Sequence, residues 1–87
     1  MRYFKSQTIN PGDLVYVCYS NWGSFGVAIA DTGTSFQYYS LYYNNYKHYI
    51  YGRSYRDRVI KVDPEYHLDA DGIKKYQEIS KQFVDEY

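Results

Sequence analysis

Tyrosine and arginine are the residues of this chain best suited to chemistry at a surface. Between positions 37 and 55, eight of the nineteen residues are tyrosine, and three arginines lie between positions 53 and 58. A tyrosine ring offers a rigid amphipathic contact with only two torsions to fix, and arginine adds a fork of hydrogen-bond donors. Both residues are enriched where proteins bind one another, and both also stack on bases and hold phosphates. The segment therefore predicts a binding surface for a protein, a nucleotide or a single-stranded nucleic acid.

No other set of residues in the sequence predicts catalysis, a metal site or a bound cofactor. His48 and His67 lie nineteen positions apart without a cysteine or acid at ligand spacing, so we expect no metal site. Cys18 lies within a run of strand-forming residues and has no base near it in the sequence, which favours a small core residue over a nucleophile. The Asp-Thr-Gly triplet at positions 31–33 also occurs in aspartic proteases, but half-size versions of that fold need a longer chain, so we interpret it as a turn. We therefore predict a protein that is not an enzyme.

Charge is unevenly distributed along a chain that is neutral overall. Residues 38–62 contain five basic residues and one acid, a net charge of +4, whereas residues 63–87 contain seven acids and three lysines, a net charge of −4. The tyrosine-rich segment is thus also the basic one. Overall neutrality argues against a general nucleic-acid binder, which is usually basic throughout, and against a DNA mimic, which would be strongly acidic.

The length of 87 residues predicts one domain, residues 1–87, with a core but little room for a deep internal active site. Function is then expected at the surface. A single cysteine cannot form an internal disulfide. The sequence has no apolar run of about 18 residues, and its start lacks the apolar stretch of a signal peptide. We predict a cytoplasmic protein without a membrane partner.

The pattern of apolar residues predicts five short strands followed by a helix. A Pro-Gly turn at positions 11–12 precedes a run with apolar side chains on both alternating faces, which indicates a strand covered on both sides or curled into a barrel. In the tail, Asp69 is placed as an N-cap, and apolar residues from Ile73 onward recur with helical spacing. The predicted strands cover residues 13–19, 25–31, 35–43, 46–51 and 57–62, and the predicted helix covers residues 70–86.

The third and fourth of these strands are predicted to form a hairpin around Asn44-Asn45, a pair that tolerates the positive φ angles of a tight turn. Side chains alternate between the faces of a strand, and each arm carries tyrosine on both faces. Leu41 and Ile50 require one face for the core, so the rings on the other face are expected near solvent. The partner-binding residues that we predict in the hairpin and the basic stretch after it are Tyr39, Tyr43, Tyr46, Tyr49, Tyr51, Arg53, Tyr55, Arg56 and Arg58.

These elements predict the α+β class: a five-stranded antiparallel curved sheet, or a small barrel similar to the Src-homology-3 type, with one C-terminal helix. The stretch "PGDLVYV", a loop and "GVAIAD" also resemble the start of the MazF/PemK toxin ribonucleases. That resemblance implies a dimeric enzyme that cuts single-stranded RNA with an arginine and a threonine or serine. The family's arginine before its second strand is absent from "SNWGSFG". The charge would then come from Arg53, Arg56 or Arg58. The hydroxyl would come from Thr32 or Thr34.

The sequence leaves three functional hypotheses. The first is a non-enzymatic binding protein, in the small compact format of the inhibitors that phages and other mobile elements carry against host machinery, including anti-CRISPR and other anti-defence proteins. Its partner would be a host or defence-system protein held by the Tyr/Arg-rich face. The second is a MazF/PemK-like single-strand endoribonuclease toxin. The third is a module that binds a nucleotide or nucleic acid and acts as a sponge. A monomer and a homodimer are both compatible with the sequence.

Overall fold

Residues 2–3, 7–42, 47–51 and 55–84 are described by the structure, a computed structural model of the chain. In these ranges seven strands and two helices follow one another, with a 3₁₀ turn at Tyr55–Arg58. The elements are β1 Arg2–Tyr3, β2 Gln7–Thr8, β3 Leu14–Cys18, β4 Gly23–Asp31, β5 Ser35–Ser40, β6 Lys47–Tyr51, β7 Val59–Lys61, α1 Pro64–His67 and α2 Ala70–Val84. The strands β1 and β2 pair with each other as a separate ladder, and β3 to β7 form the main sheet.

The predicted α+β fold is confirmed by the main sheet and its C-terminal helix. The five strands stand in the order β6-β5-β4-β3-β7, and every neighbouring pair is antiparallel. Strands β3 to β6 form a meander, and β7 returns to pair with β3, so β6 and β7 are the edges of the sheet. The sheet is curved and does not close on itself. A register shift between Ala28 and Ala30 marks an irregularity in β4, the kind of bulge that bends a strand.

The element bounds differ in places from the predicted spans. Residues 57–58, expected in the last strand, belong to the 3₁₀ turn, and β7 begins at Val59, where the first side chain of that stretch becomes buried. Strand β5 ends at Ser40, and a bend follows at residues 41–42. The predicted Asn44-Asn45 turn and the predicted helical residues 85–86 lie outside the described residues.

Each face of the main sheet has its own hydrophobic core. The helix face is the face on which α2 packs, and its buried residues are Leu14, Val27, Leu41, Leu68 and Ile79. The buried residues of the opposite face are Ile9, Val15, Val17, Ala28, Phe36, Tyr38, Ile50 and Val59. Alternation along β3 supplies both cores, because Leu14 faces α2 whereas Val15 and Val17 face away from it. Strand β3 is thus covered on both sides, as its apolar pattern predicted.

Helix α2 is fixed to the sheet by polar contacts as well as by its apolar stripe. Near its start, the Asp69 carboxylate accepts a hydrogen bond of 2.7 Å from the backbone N–H of Gly72, which satisfies one of the free donors of the first turn. Farther along, the hydroxyls of Tyr76 and Ser80 both donate to the carbonyl of Gly12, at 3.0 and 2.7 Å. Gly12 has a φ of 93°, a conformation that other residues rarely adopt. The turn before β3 therefore serves as the anchor of the helix.

Tyrosines fill the space that glycine leaves open at three places in the described residues, one of them Tyr16 against Gly23. The Tyr38 ring lies against Gly26 in the neighbouring strand, so closely that a Cβ atom at Gly26 would collide with it. The Tyr42 hydroxyl is placed in the same way against Gly72 in the first turn of α2. These contacts use tyrosine for packing, and they account for part of the unusual tyrosine content of the chain.

Candidate partner-binding surface

Tyr49 and Tyr51 form an exposed aromatic pair on the edge strand β6. Their ring centroids are 6.2 Å apart and their planes differ by 19°, so the rings are stacked. Tyr49 is 47% exposed and Tyr51 is 67% exposed. Ile50 between them is only 4% exposed and belongs to the core of the opposite face. The two rings therefore project on the helix face, beside the part of the sheet that α2 covers.

The exposure of this pair follows from the pairing of β6 with β5. Ile50 lies opposite Phe36, and both are buried in the same core. Because side chains alternate along a strand, a shift of the register by one residue would expose Ile50 and bury the tyrosines. Burial of the Phe36–Ile50 pair thus holds the Tyr49–Tyr51 pair at the surface.

Tyr39 connects the Tyr49–Tyr51 pair to the core of the helix face. It is half-buried and packs against that core, opposite Val27 in β4. On its other side it lies opposite Lys47, and Tyr49 is the next residue of β6 on the same face. The exposed rings consequently adjoin a third tyrosine that the core fixes in place, and an exposed lysine. The structure therefore brings together three of the predicted partner-binding residues.

Arg56, one of the predicted arginines, lies away from the Tyr49–Tyr51 pair. Arg56, in the 3₁₀ turn, forms an ion pair of 3.2 Å with Asp31, whose carboxylate side chain is only 9% exposed. Asp31 lies opposite Phe36, whereas Tyr51 lies opposite the preceding residue, Ser35. Neighbouring positions of a strand face opposite sides, so the Arg56–Asp31 ion pair and the Tyr49–Tyr51 pair share one end of β5 but not one face.

The remaining predicted residues can be placed only in part. Arg58 is exposed at the end of the 3₁₀ turn. The backbone of Tyr55 begins that turn. Tyr43, Tyr46 and Arg53 lie outside the described residues.

The Asp-Thr-Gly triplet lies in the turn between β4 and β5. The Asp31 carboxylate accepts a hydrogen bond of 2.8 Å from the Gly33 N–H, and the Thr32 N–H donates to the Ser35 carbonyl at 3.0 Å. The Thr32 hydroxyl lies 2.9 Å from the Ser35 hydroxyl and 3.3 Å from that of Thr34. These local contacts are those of a turn closed by its own side chains.

Sequence reasoning missed a second group of aromatic residues on the helix face, toward the sheet edge formed by β7 and away from β6. A groove of about 400 Å³ is lined by Tyr16, Phe25, Ile60, Val62 and His67. The alternation that puts Tyr16 and Phe25 on the same face as Leu14 and Val27 was visible in the sequence. The position of α1, which brings His67 to within 6.2 Å of the Phe25 ring, was not.

Tyr42 has a shifted pKa at the edge of this aromatic group. Partial burial raises the pKa of its phenol, and the negative charge of Asp69 raises it further. The Lys75 ammonium lies 5.8 Å from the centre of the Tyr42 ring. The neutral phenol is thus the favoured form of this side chain.

His48 and Cys18, two residue types that often carry chemistry, are both in the main sheet. The ring of His48 stacks on that of Tyr38, with centroids 5.3 Å apart. Cys18 is a half-buried free thiol in β3. In the described ranges, no three side chains among histidine, cysteine, aspartate and glutamate are grouped to hold a metal ion. Neither helix in this part of the chain is long and apolar enough to cross a membrane.

No protein-family model, curated protein or solved structure matches the chain.

Proposed function

We propose that this protein is a non-enzymatic binding protein that holds a protein partner with the Tyr49–Tyr51 pair. The observation that carries the proposal is the exposure of two stacked rings on an edge strand whose intervening residue is buried. Single exposed apolar residues are common on protein surfaces, but tyrosine is strongly enriched among residues that dominate binding energy. Two such rings fixed side by side are a preformed contact.

Rigidity supports this proposal. Immobilising a flexible side chain on binding costs about 0.5–1.5 kcal/mol, and that cost is smaller when the side chain is already held in place. Tyr49 and Tyr51 restrain each other by stacking, and the buried Ile50 restrains their backbone. Less of the energy gained by contact with these rings is therefore lost to ordering them, and more of it contributes to affinity.

Charge and strand position support the same surface. Lys47 in β6 is exposed and lies on the same face as the Tyr49–Tyr51 pair. In the described residues β6 pairs with β5 alone, so its outer edge offers backbone groups to an extended segment of a partner. We expect a partner with an acidic contact surface, and, in the narrower form of the proposal, a cytoplasmic host or defence-system protein that a phage or mobile-element inhibitor blocks.

The test is a pull-down with tagged protein from bacterial lysate, with and without nuclease treatment, compared between three versions of the chain. The wild type and Tyr66→Ala, which removes a tyrosine 85% exposed on α1, are expected to capture the same protein in stoichiometric amount. The double variant Tyr49→Ala/Tyr51→Ala is expected to lose it. Equal capture by all three versions would contradict the proposal. If only RNA or a nucleotide is recovered, and the double variant loses it, the third hypothesis, a module that binds a nucleotide or nucleic acid, would replace this one.

The ribonuclease hypothesis keeps one observation in its favour. Arg56, in the 3₁₀ turn, pairs with Asp31, and Asp31 directly precedes the turn that carries the hydroxyls of Thr32 and Thr34, so an arginine reaches the start of the turn that holds the candidate hydroxyls. A carboxylate can remove a proton from an attacking hydroxyl, and a guanidinium can stabilise negative charge that develops on phosphorus-bound oxygen. This alternative predicts growth arrest on expression that Arg56→Lys abolishes and that the matched control Arg58→Lys retains. Harmless expression of the wild type would count against it.

A further inference from the structure

The groove on the helix face has no role in the function proposed above. Tyr16 lies opposite Phe25 of β4 on one side and opposite Ile60 of β7 on the other, so the three side chains form a row across the sheet. The adjacent row, which contains Leu14 and Val27, is buried beneath α2. All three residues of the groove row remain partly exposed. The row is therefore the floor of an open groove.

Aromatic rings at steep angles to one another line this groove. The Tyr16 and Phe25 rings are 5.0 Å apart with planes 63° apart, and the His67 ring is tilted by 44° to Phe25 at 6.2 Å. Tyr16 and Phe25 thus pack edge to face, and the ring surfaces that this contact leaves open line the groove together with His67. Ile60 and Val62 complete the lining with aliphatic groups. The volume of about 400 Å³ is within the range of small-ligand sites.

The chain segment beside the groove is acidic. From residue 63 to residue 71 the sequence contains Asp63, Glu65, Asp69 and Asp71 and neither lysine nor arginine. All four acids are exposed, and Asp63 lines a second cavity, of about 500 Å³, that shares Val62 with the groove. Lys61, at the same end of β7, forms an ion pair of 3.4 Å with Asp13. Lys75, 5.8 Å from the Tyr42 ring at the edge of the aromatic group, is outnumbered by these four acids, so the charge around the groove favours a ligand with positive charge.

We infer that this groove binds an alkylated ammonium group, such as the head of a methylated amine. The faces of aromatic rings attract a cation, and an aromatic lining is the kind of surface that binds quaternary ammonium groups. The alkyl groups of such a ligand would contact Ile60 and Val62, and the acids of residues 63–71 would attract it from solution. A neutral alkyl group would lose the attraction of the rings and acids. An unsubstituted ammonium would remain strongly hydrated.

The probe is choline, compared with its neutral carbon isostere in which a tert-butyl group replaces the trimethylammonium. Backbone amide resonances are followed by NMR during titration of the wild-type protein. Choline is expected to shift the resonances of Tyr16, Phe25 and His67 to saturation, and the isostere is expected to bind about fivefold more weakly or worse. Added sodium chloride should weaken choline binding by screening the acids. Equal affinity for the two probes, or shifts confined to other parts of the chain, would overturn the inference.

Three variants separate the ring contribution from simple burial. Phe25→Leu keeps an apolar side chain and removes one ring face, so choline affinity should fall while affinity for the isostere is retained. His67→Ala changes an exposed residue with little expected effect on folding, and it should also weaken choline binding. Tyr66→Ala, on the same short helix but outside the groove lining, should leave the affinity unchanged. An equal loss of affinity in Tyr66→Ala, or unchanged affinity in both groove variants, would show that the groove is not the site.

Discussion

Tyr38 and Tyr49 lie in neighbouring strands but on opposite faces of the sheet, one 1% exposed and the other 47% exposed. The first fills the space beside Gly26 and belongs to a core, and the second stacks on Tyr51 at the surface. The tyrosines of the hairpin thus divide into two groups with different physical roles. Substitutions of the buried tyrosines should mainly lower stability, whereas substitutions of the exposed tyrosines should mainly weaken binding.

The contact between Gly26 and Tyr38 predicts a strong loss of stability in Gly26→Ala. The Tyr38 ring is fully buried and cannot move aside, so overpacking is expected to lower the free energy of unfolding by about 2–3 kcal/mol. Gly33→Ala is the comparison, because space around Gly33 is open and only its φ of 89° is unfavourable, for a loss of about 1 kcal/mol. Urea unfolding measures both. A Gly26→Ala protein as stable as Gly33→Ala would disprove the close contact.

The hydroxyls of Tyr19 and Tyr38 form a hydrogen bond that joins the end of β3 to the core. We expect Tyr19→Phe and Tyr38→Phe each to lower the free energy of unfolding by about 0.5–1.5 kcal/mol. The double variant should lose less than the sum, because either single change already removes the same bond. A double-mutant cycle followed by urea unfolding checks this. Strictly additive losses would indicate that the two hydroxyls do not interact.

The raised pKa of Tyr42 predicts a pH dependence of stability in the alkaline range. Because the folded protein holds this proton more tightly than the unfolded chain does, the stabilisation is complete below the ordinary tyrosine pKa of about 10. It is lost as the pH rises through the raised pKa of the folded state. Tyr42→Phe should therefore show a smaller decline of unfolding free energy above pH ~10 than the wild type. Identical declines would contradict the assignment.

Asp69→Asn tests the electrostatic cause of the same shift. Asparagine can still accept the hydrogen bond from the Gly72 N–H, so the start of α2 is preserved while the charge is removed. The pKa of Tyr42 should move back toward its ordinary value. The difference in phenolate absorbance between Asp69→Asn and Asp69→Asn/Tyr42→Phe, titrated with base, reports that pKa. The same titration difference between the wild type and Tyr42→Phe gives the pKa with Asp69 intact. If the two pKa values are equal, burial alone raises the pKa of Tyr42.

Local patterns were sufficient to predict the main sheet, the long helix and the burial of Leu41 and Ile50. The expectation that these two residues share one buried face was wrong, because Leu41 lies in the core of the helix face and Ile50 in the core of the opposite face. Alternation in β3 and β6 identified which side chains share a face, and Asp31 and Thr32 identified the turn before β5. What the sequence could not show depends on contacts between distant parts of the chain. The hydroxyls of Tyr76 and Ser80 reach the carbonyl of Gly12. No local pattern predicts such a contact, although it helps to fix where α2 crosses the sheet.

The candidate site shows the same division. Alternation along the strand predicts that Tyr49 and Tyr51 share a face. It does not predict whether that face is exposed or covered, so the sequence left both alternatives open. The partial burial of Tyr39 was not predictable, since it depends on the helix. The pairing of Arg56 with Asp31 separates that arginine from the tyrosine surface, and only the register of β4 and β5 reveals this.

The Tyr49–Tyr51 pair should contribute only modestly to folding. Tyr51 is two-thirds exposed and Tyr49 about half exposed, and stacking adds about 0.5–1.5 kcal/mol to the energy of their partial burial. The double variant Tyr49→Ala/Tyr51→Ala should therefore cost about 2–3 kcal/mol of unfolding free energy, no more than truncation of one buried aromatic ring. Urea unfolding checks this and also shows that any loss of binding is not a loss of fold. A much larger loss would mean that the main role of the two rings is to stabilise the fold, and their exposure would then not support a binding role.

The central claim is tested most directly by titration calorimetry with the purified partner recovered in the pull-down. Loss of two such rings from a binding hot spot is expected to weaken affinity by at least about 2 kcal/mol, or roughly 30-fold, in Tyr49→Ala/Tyr51→Ala. The Tyr66→Ala protein should bind like the wild type. If the double variant keeps the wild-type affinity while remaining folded, the Tyr49–Tyr51 pair is not the binding surface.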